Sequence, residues 1–205
     1  MIKKNQYYLL FILTAVVGLT ILVEFVFRKP YSFHGTAITP PLPVTDFALQ
    51  TANDETFRLS DAKGKLVLLF FGYTSCPDVC PVTLATFKQV HERLGEEAQK
   101  IAFVMITADP DRDTPGKVAA YVERFNPEFI GLSGSVADLE LIWDELGVFV
   151  EKQDSGSAAG YLVSHTASVY VLDPNGSLLM TLPYGTTAID MADDLTQLLK
   201  QSQQK

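Results

Sequence analysis

The sequence predicts an α/β sandwich preceded by a single N-terminal transmembrane helix. Three observations point there: continuous apolar runs of strand length at 66–71 and 101–107, helix-patterned segments between and after them, and a longer apolar run over 7–27. Short unbroken apolar runs suit strands buried on both faces, as parallel βαβ units require. The longer run suits a lipid environment instead.

Residues 7–27 read YYLLFILTAVVGLTILVEFVF. At 1.5 Å per residue this run spans about 31 Å, close to the thickness of a bilayer core. Its one charge, Glu24, lies near an end where it reaches the headgroups. A signal peptide would have a shorter apolar region and a small-x-small cleavage site. Here the run ends Phe25-Val26-Phe27-Arg28-Lys29, and no cysteine is near for lipidation, so an uncleaved anchor is expected. Lys3 and Lys4 before the span balance Arg28 and Lys29 after it, which leaves the positive-inside count tied. A short basic N-terminus ahead of a single span usually stays in the cytoplasm. The soluble body is then expected on the periplasmic or extracytoplasmic side of the inner membrane.

The chain divides accordingly into an anchor over 1–29, a proline-rich linker over 30–45, a globular domain over 46–200 and a tail over 201–205. Pro30, Pro40, Pro41 and Pro43 give the linker extended character, with His34 as a solvent-exposed residue within it. The net charge of −8 is uneven: residues 1–45 carry +3 and the rest −11. An acidic body argues against a nucleic-acid partner, because phosphate binding needs a basic face. An apolar fraction of 47% excludes a mainly disordered chain. Two cysteines and three histidines exclude a multi-disulfide scaffold and a four-cysteine zinc finger.

Within the domain, 47–49 and 56–59 are expected as short strands around a turn at Asn53-Asp54. The buried strand 66–71 leads into a helix over about 81–94, and 101–107 is a second buried strand. Thr114-Pro115 opens a helix to about 125, with proline at the first helical position. A short strand over 129–132 precedes a helix over 136–146, with Leu139, Ile142, Trp143 and Leu146 at core spacing and Gly147 at its end. Residues 148–150 are extended, and the polar, Gly/Ser/Ala-rich stretch 151–163 is expected as a loop or insertion. Strands 168–172 and 177–182 flank Asp173-Pro174-Asn175-Gly176, a strong hairpin signal. That tight turn also explains Asn175-Gly176-Ser177 better than glycosylation does. A last helix covers about 188–200. Parallel βαβ units followed by a hairpin and a helix describe a thioredoxin-like sandwich.

Both cysteines, Cys76 and Cys80, lie where the first buried strand gives way to a helix. Ligands in α/β sheets favour this end of a strand, and a helix N-terminus stabilises a thiolate. The spacing is Cys-x₃-Cys rather than Cys-x₂-Cys. On a regular helix, positions i and i+4 share a face with their Cβ atoms roughly 5–6 Å apart. A disulfide prefers about 3.8 Å and needs local distortion. A bridging metal needs less, and the pair can still oxidise reversibly. A permanent disulfide or two buried thiols is the plain structural alternative.

Among the third-donor candidates, His34 lies in the linker and His91 on a polar helix face. His165 precedes the strand at 168–172, a position that faces the cysteine turn in a thioredoxin-like fold. A thioredoxin enzyme carries a cis-proline there, whereas this chain has Ser164-His165-Thr166-Ala167. Two thiolates and one imidazole form a soft, low-coordination set that suits Cu(I) and can also take Cu(II). Zinc normally takes a fourth donor. The alternative for His165 is a satisfied core histidine.

Asp109, Asp111 and Asp113 superficially suggest a calcium loop, but Thr114 replaces the glycine of that motif and Ala120 its glutamate. A strand-to-helix loop with Asp113 near an N-cap is the simpler reading. Asp109, at the end of the second strand, is placed to border the cysteine site.

The motif Gly72-Tyr73-Thr74-x-Cys76-Pro77-Asp78-x-Cys80-Pro81 is joined by Asp109-Pro110 and by His165 ahead of a strand and an Asp-Pro-Asn-Gly turn. Together these resemble the Sco (SenC/PrrC) family over 46–200. That family comprises membrane-tethered, thioredoxin-fold copper proteins that assist assembly of the dinuclear copper centre of cytochrome c oxidase. The resemblance implies copper bound by Cys76, Cys80 and His165, with Asp109 in a supporting role. It also implies a copper-accepting oxidase subunit and a thiol-disulfide reductant as partners. A metallochaperone is not itself an enzyme. The competing activity is a thiol-disulfide oxidoreductase that reduces the cysteines of the same copper site. A peroxiredoxin-like peroxidase fits poorly, because the threonine offset is wrong and its Pro-x₃ element is absent.

Overall fold

The computed structural model describes residues 4–27, 31–157 and 160–202. The chain forms two units, Met1–Ser32 and Phe33–Lys205. The first holds α1, Lys4–Phe27, with side chains described over 8–20. Among the described residues no helix is long and apolar enough to cross a membrane.

The second unit runs, in chain order, β1 (Thr36–Pro43), β2 (Ala48–Gln50), β3 (Thr56–Arg58), β4 (Leu66–Gly72), α2 (Val79–Leu94), β5 (Ile101–Thr107), α3 (Pro115–Glu123), β6 (Ile130–Leu132), α4 (Val136–Leu146), β7 (Val150–Ser157), β8 (Gly160–His165), β9 (Val169–Leu172), β10 (Ser177–Leu182) and α5 (Ala188–Ser202). The main sheet has the order β1-β10-β9-β4-β5-β6. β4, β5 and β6 are parallel, with Leu66 opposite Ile101 and Gly72 opposite Thr107. β9, β10 and β1 add on antiparallel.

Alternation along β4 builds the two layers. Leu66, Leu68 and Phe70 pack in one cluster with Leu84 and Phe87 of α2, Val118 of α3 and Leu195 of α5. Val67, Leu69 and Phe71 pack in the other with Leu139, Ile142 and Trp143 of α4. The seven residues of β4 and the seven of β5 are all buried. The two central strands therefore read as unbroken apolar runs, because each face has its own helical layer.

Three expectations need correction. Part of the linker, Thr36–Pro43, is a strand paired to β10. It stands at the edge of the sheet, and its register shifts between Ala37 and Leu42, around Pro40-Pro41. An edge strand with a bulge is where proline, lacking an N–H, is tolerated. The stretch expected as a loop over 151–163 lies in the antiparallel ribbon β7–β8, with Val150 opposite His165 and Asp154 opposite Tyr161. Among the described residues each strand pairs only with the other, so polar residues are allowed and the apolar alternation that marks a strand is weak. The last helix continues to Ser202, inside the expected tail, while 203–205 lie outside the described residues. The Asp173–Gly176 turn forms as read: the Asp173 carboxylate accepts the N–H groups of Asn175 and Ser177 at 2.8 and 2.9 Å.

Candidate metal centre

The site begins at the end of β4. A Cβ placed on Gly72 would stand 2.9 Å from Cys80 Sγ and 2.7 Å from the Phe70 ring, so residue 72 must lack a side chain for α2 to pack this closely. From there the chain turns, with the Cys76 N–H donating to the Tyr73 carbonyl at 3.2 Å, and α2 starts at Val79. Cys76 therefore lies ahead of the helix and Cys80 in its first turn, rather than both on one helical face as the spacing suggests. The Cys76 sulfur accepts the Cys80 backbone N–H at 3.4 Å. The Asp78 side chain makes no capping bond, so the sulfur takes one of the free N–H groups at the helix start.

This arrangement separates the two thiols electrostatically. A hydrogen bond from the Cys80 thiol, assisted by His165 and by backbone N–H groups, outweighs burial and pulls the Cys76 pKa down to about 3. The Cys80 pKa is pushed up, because its proton bonds the Cys76 sulfur and because it is buried. The pair is a thiolate and a thiol sharing one proton, and a cation that binds both sulfurs displaces it. Both cysteines are free rather than disulfide-bonded. Cys80 is fully buried and Cys76 half-buried.

His165 is the last residue of β8. Its ring meets Phe70 and Tyr73 edge-on, with centroids 6.0 and 5.9 Å away. Nδ1 lies 3.1 Å from the Thr166 carbonyl, which can only accept, so Nδ1 carries the hydrogen. Nε2 is the ring nitrogen that faces the sulfurs, 3.6 Å from Cys80 Sγ. The donor atoms of Cys76, Cys80 and His165 all lie within 4.8 Å of one another. Two sulfurs and an imidazole in this range fit a soft ion of low coordination number, and copper above the other biological metals.

Asp109 is fully buried but is not one of this group. Its carboxylate accepts the Tyr161 hydroxyl at 2.7 Å and pairs with the Arg112 Nε–H. Asp113, also fully buried, does not cap α3; Thr114 stands at the cap position. Instead its carboxylate accepts the Thr74 N–H at 2.8 Å, the Thr74 hydroxyl at 2.5 Å and the Thr107 hydroxyl at 3.0 Å. Asp111 is exposed and pairs with Lys152. Among the described residues, the aspartates of this loop form no metal-spaced group. Arg112 and Tyr161 were not singled out from the sequence, and Asp113 was weighed only for a calcium loop, which fails, and for a place near an N-cap. No local pattern marks them.

The other histidines lie elsewhere. His34 is not simply exposed: its Nδ1 lies 3.0 Å from the buried Asp194 carboxylate and its Nε2 3.4 Å from Asp190. His91 is largely covered, with its Nε2 2.6 Å from Glu128 and its ring 5.6 Å from that of Phe103.

The fold and site define a thioredoxin-like domain whose redox position carries two thiols faced by an imidazole. The chain belongs to the SCO1/SenC family, whose model matches residues 36–200. An SCO2-like protein of Rickettsia felis is 37% identical over 135 residues, which cover 65% of this chain and 66% of that one, just under two thirds of its length. The solution structure of apo Sco1 from Thermus thermophilus is 37% identical, with a TM-score of 0.74 over 82% of this chain and 98% of that one. The structure of Bradyrhizobium japonicum ScoI with copper bound is 33% identical, with a TM-score of 0.69 over 76% and 99%.

Proposed function

We propose that the chain is a copper metallochaperone. It holds copper through Cys76, Cys80 and His165, with Asp109 in support, and passes it by ligand exchange to a copper-accepting subunit during assembly of the dinuclear copper centre of cytochrome c oxidase. The observation that carries this reading is the convergence of three soft donors within 4.8 Å, two of them from the turn into α2 and the third some 85 positions downstream. The copper-bound relative supports the choice of metal. The apolar run over 7–27, about 31 Å long as a helix, supports attachment to a membrane, and the short basic N-terminus ahead of it supports the body lying on the extracytoplasmic side.

Transfer follows from the chemistry of the donors. Cys76, half-exposed and already a thiolate, is the group an incoming donor meets first, whereas Cys80 is buried. The deciding experiment is a Cu(I) competition titration of reduced protein. His165→Ala is expected to weaken binding about 10- to 100-fold, and Cys76→Ala or Cys80→Ala to weaken it further. Unchanged affinity in His165→Ala sinks the three-donor site.

The thiolate–thiol pair supports a second reading, reduction of target disulfides. The Cys76 thiolate would attack one target sulfur and release the other as thiolate. Cys80 would then attack the mixed disulfide, leaving a Cys76–Cys80 disulfide and a reduced target. A separate thiol-disulfide reductant must restore the pair. Cys80→Ser should trap the mixed disulfide through Cys76, and its absence under every redox condition eliminates this activity.

A further inference from the structure

We propose that Arg112 is a positioning residue for His165: from the loop between β5 and α3 it clamps β8, so that the imidazole at the end of that strand is held over the two sulfurs. The proposal rests on the reading of His165 as a metal ligand and deepens it.

Among the described residues the β7–β8 ribbon is a sheet of its own, with no ladder to the six-stranded sheet. At its base the Thr166 N–H donates to the Phe149 carbonyl at 3.0 Å and the Phe149 N–H to the Thr166 hydroxyl at 2.9 Å, bonds that close the ribbon on itself. Beside the buried Val163, the Tyr73 side chain at the Val163 backbone and the Lys152–Asp111 pair, it is fastened to the body at Tyr161. Arg112 Nη1 donates to the Tyr161 carbonyl at 2.9 Å, and the guanidinium carbon lies 3.7 Å from the Tyr161 ring centroid. The Tyr161 hydroxyl donates to one oxygen of Asp109, at 2.7 Å, while the other oxygen takes the Arg112 Nε–H. Carboxylate, guanidinium and tyrosine close a ring in which each group holds the other two.

Strand alternation carries this clamp to the site. Tyr161, Val163 and His165 share one face of β8, with roughly 13 Å from the first to the third. Val163 between them is buried. Arg112 also reaches the cysteine turn directly: its guanidinium carbon lies 5.8 Å from the Tyr73 ring centroid, and that ring meets His165 edge-on. The adjacent Asp113 holds Thr74 of the same turn. One short loop thus grips the cysteine turn through one residue and the histidine ribbon through its neighbour. A lysine would neutralise Asp109 as well as Arg112 does, but only the planar fork also reaches the Tyr161 carbonyl and lies on the ring.

The test uses the full chain with R112M, R112K, Y161F and H165A. In metal-free protein, amide hydrogen exchange is followed over 160–165 and, separately, over β4 and β5. R112M is expected to speed exchange over 160–165 about tenfold or more with little change in β4 and β5. Y161F keeps the ion pair and should show a smaller rise; it carries the test if R112M does not fold. Cu(I) affinity should fall about 10- to 100-fold in R112M, recover only in part in R112K, and fall no further when R112M is added to H165A. Unchanged exchange over 160–165, or an equal loss of affinity with and without His165, overturns the clamp. Intact affinity in H165A defeats the ligand assignment instead, and exchange in the metal-free protein still decides the clamp.

Discussion

Thr74 and Asp113, 39 positions apart, are joined by two hydrogen bonds to one buried carboxylate, from the Thr74 N–H at 2.8 Å and its hydroxyl at 2.5 Å. The pair fastens the turn that carries the cysteines to the loop that follows β5. Removing the carboxylate leaves Thr107 with an unsatisfied donor in the interior and Thr74 with two that are partly covered. Asp113→Ala is therefore expected to cost about 3 kcal/mol or more, read by chemical denaturation. Thr74→Val, which spares the backbone bond, should cost about 1–2 kcal/mol. A neutral Asp113→Ala would show that the turn is held by other contacts.

Gly72 offers a second test of the same turn. A methyl group there must displace Cys80 Sγ, the Phe70 ring or the Met105 side chain. Gly72→Ala is expected to destabilise by about 1–3 kcal/mol and to weaken Cu(I) binding by moving Cys80. Wild-type stability together with wild-type affinity would contradict the close packing of α2.

The Cys76 thiolate predicts an unusual alkylation profile. An ordinary cysteine, with a pKa of about 8.5, reacts several hundredfold faster at about pH 8 than at about pH 5. With its pKa near 3, Cys76 is already ionised across that range. Its rate with iodoacetamide in metal-free protein should be nearly flat, whereas Cys80→Ala, which removes the thiol donor, should raise the pKa. A wild-type rate that climbs steeply through neutral pH would remove the helix-start thiolate.

His34 predicts a pH-dependent attachment of the segment ahead of β1. The hydrogen bond to Asp194 is the largest influence and raises its pKa above the ordinary 6.5; desolvation, next in size, opposes it, and the charges of Asp190, Asp194 and Asp193 add to the rise. A group whose folded pKa is raised contributes fully below its unfolded value and loses that contribution as pH rises through the folded one. The His34 contact should therefore be complete below about pH 6.5 and weaken on the alkaline side. An NMR titration of the His34 ring should give the raised value, and exchange of the Gly35 amide should quicken above it. His34→Gln should flatten the response; a titration at or below the ordinary value refutes it.

What could be read from the sequence follows the range of the interactions. The β4 and β5 runs were legible because burial on both faces leaves an unbroken apolar string. Cys76 and Cys80 were legible because neighbours in sequence mark a strand-to-helix turn. His165 stood out because it occupies a position defined by the fold. Asp113 and Arg112 were obscure because their partners, Thr74 and Tyr161, lie on other elements. His34 is exposed as read, but its pairing stayed hidden for the same reason, since Asp194 is 160 positions away. The β7–β8 ribbon and β1 were missed for a different reason: an isolated ribbon need not alternate, and an edge strand can hold prolines that argue against pairing elsewhere.

The confinement of β7 and β8 to each other means that the vice has one fixed jaw and one hinged jaw. The sulfurs are built into the rigid floor, and the nitrogen comes on an arm whose departure breaks no bond of the main ladder. Moving that arm would break the Arg112 bond to the Tyr161 carbonyl and leave both sulfurs and the six-stranded sheet in place. Under the proposed function, the strength of that one fastening would set how readily cargo leaves, with the base of the site folded throughout.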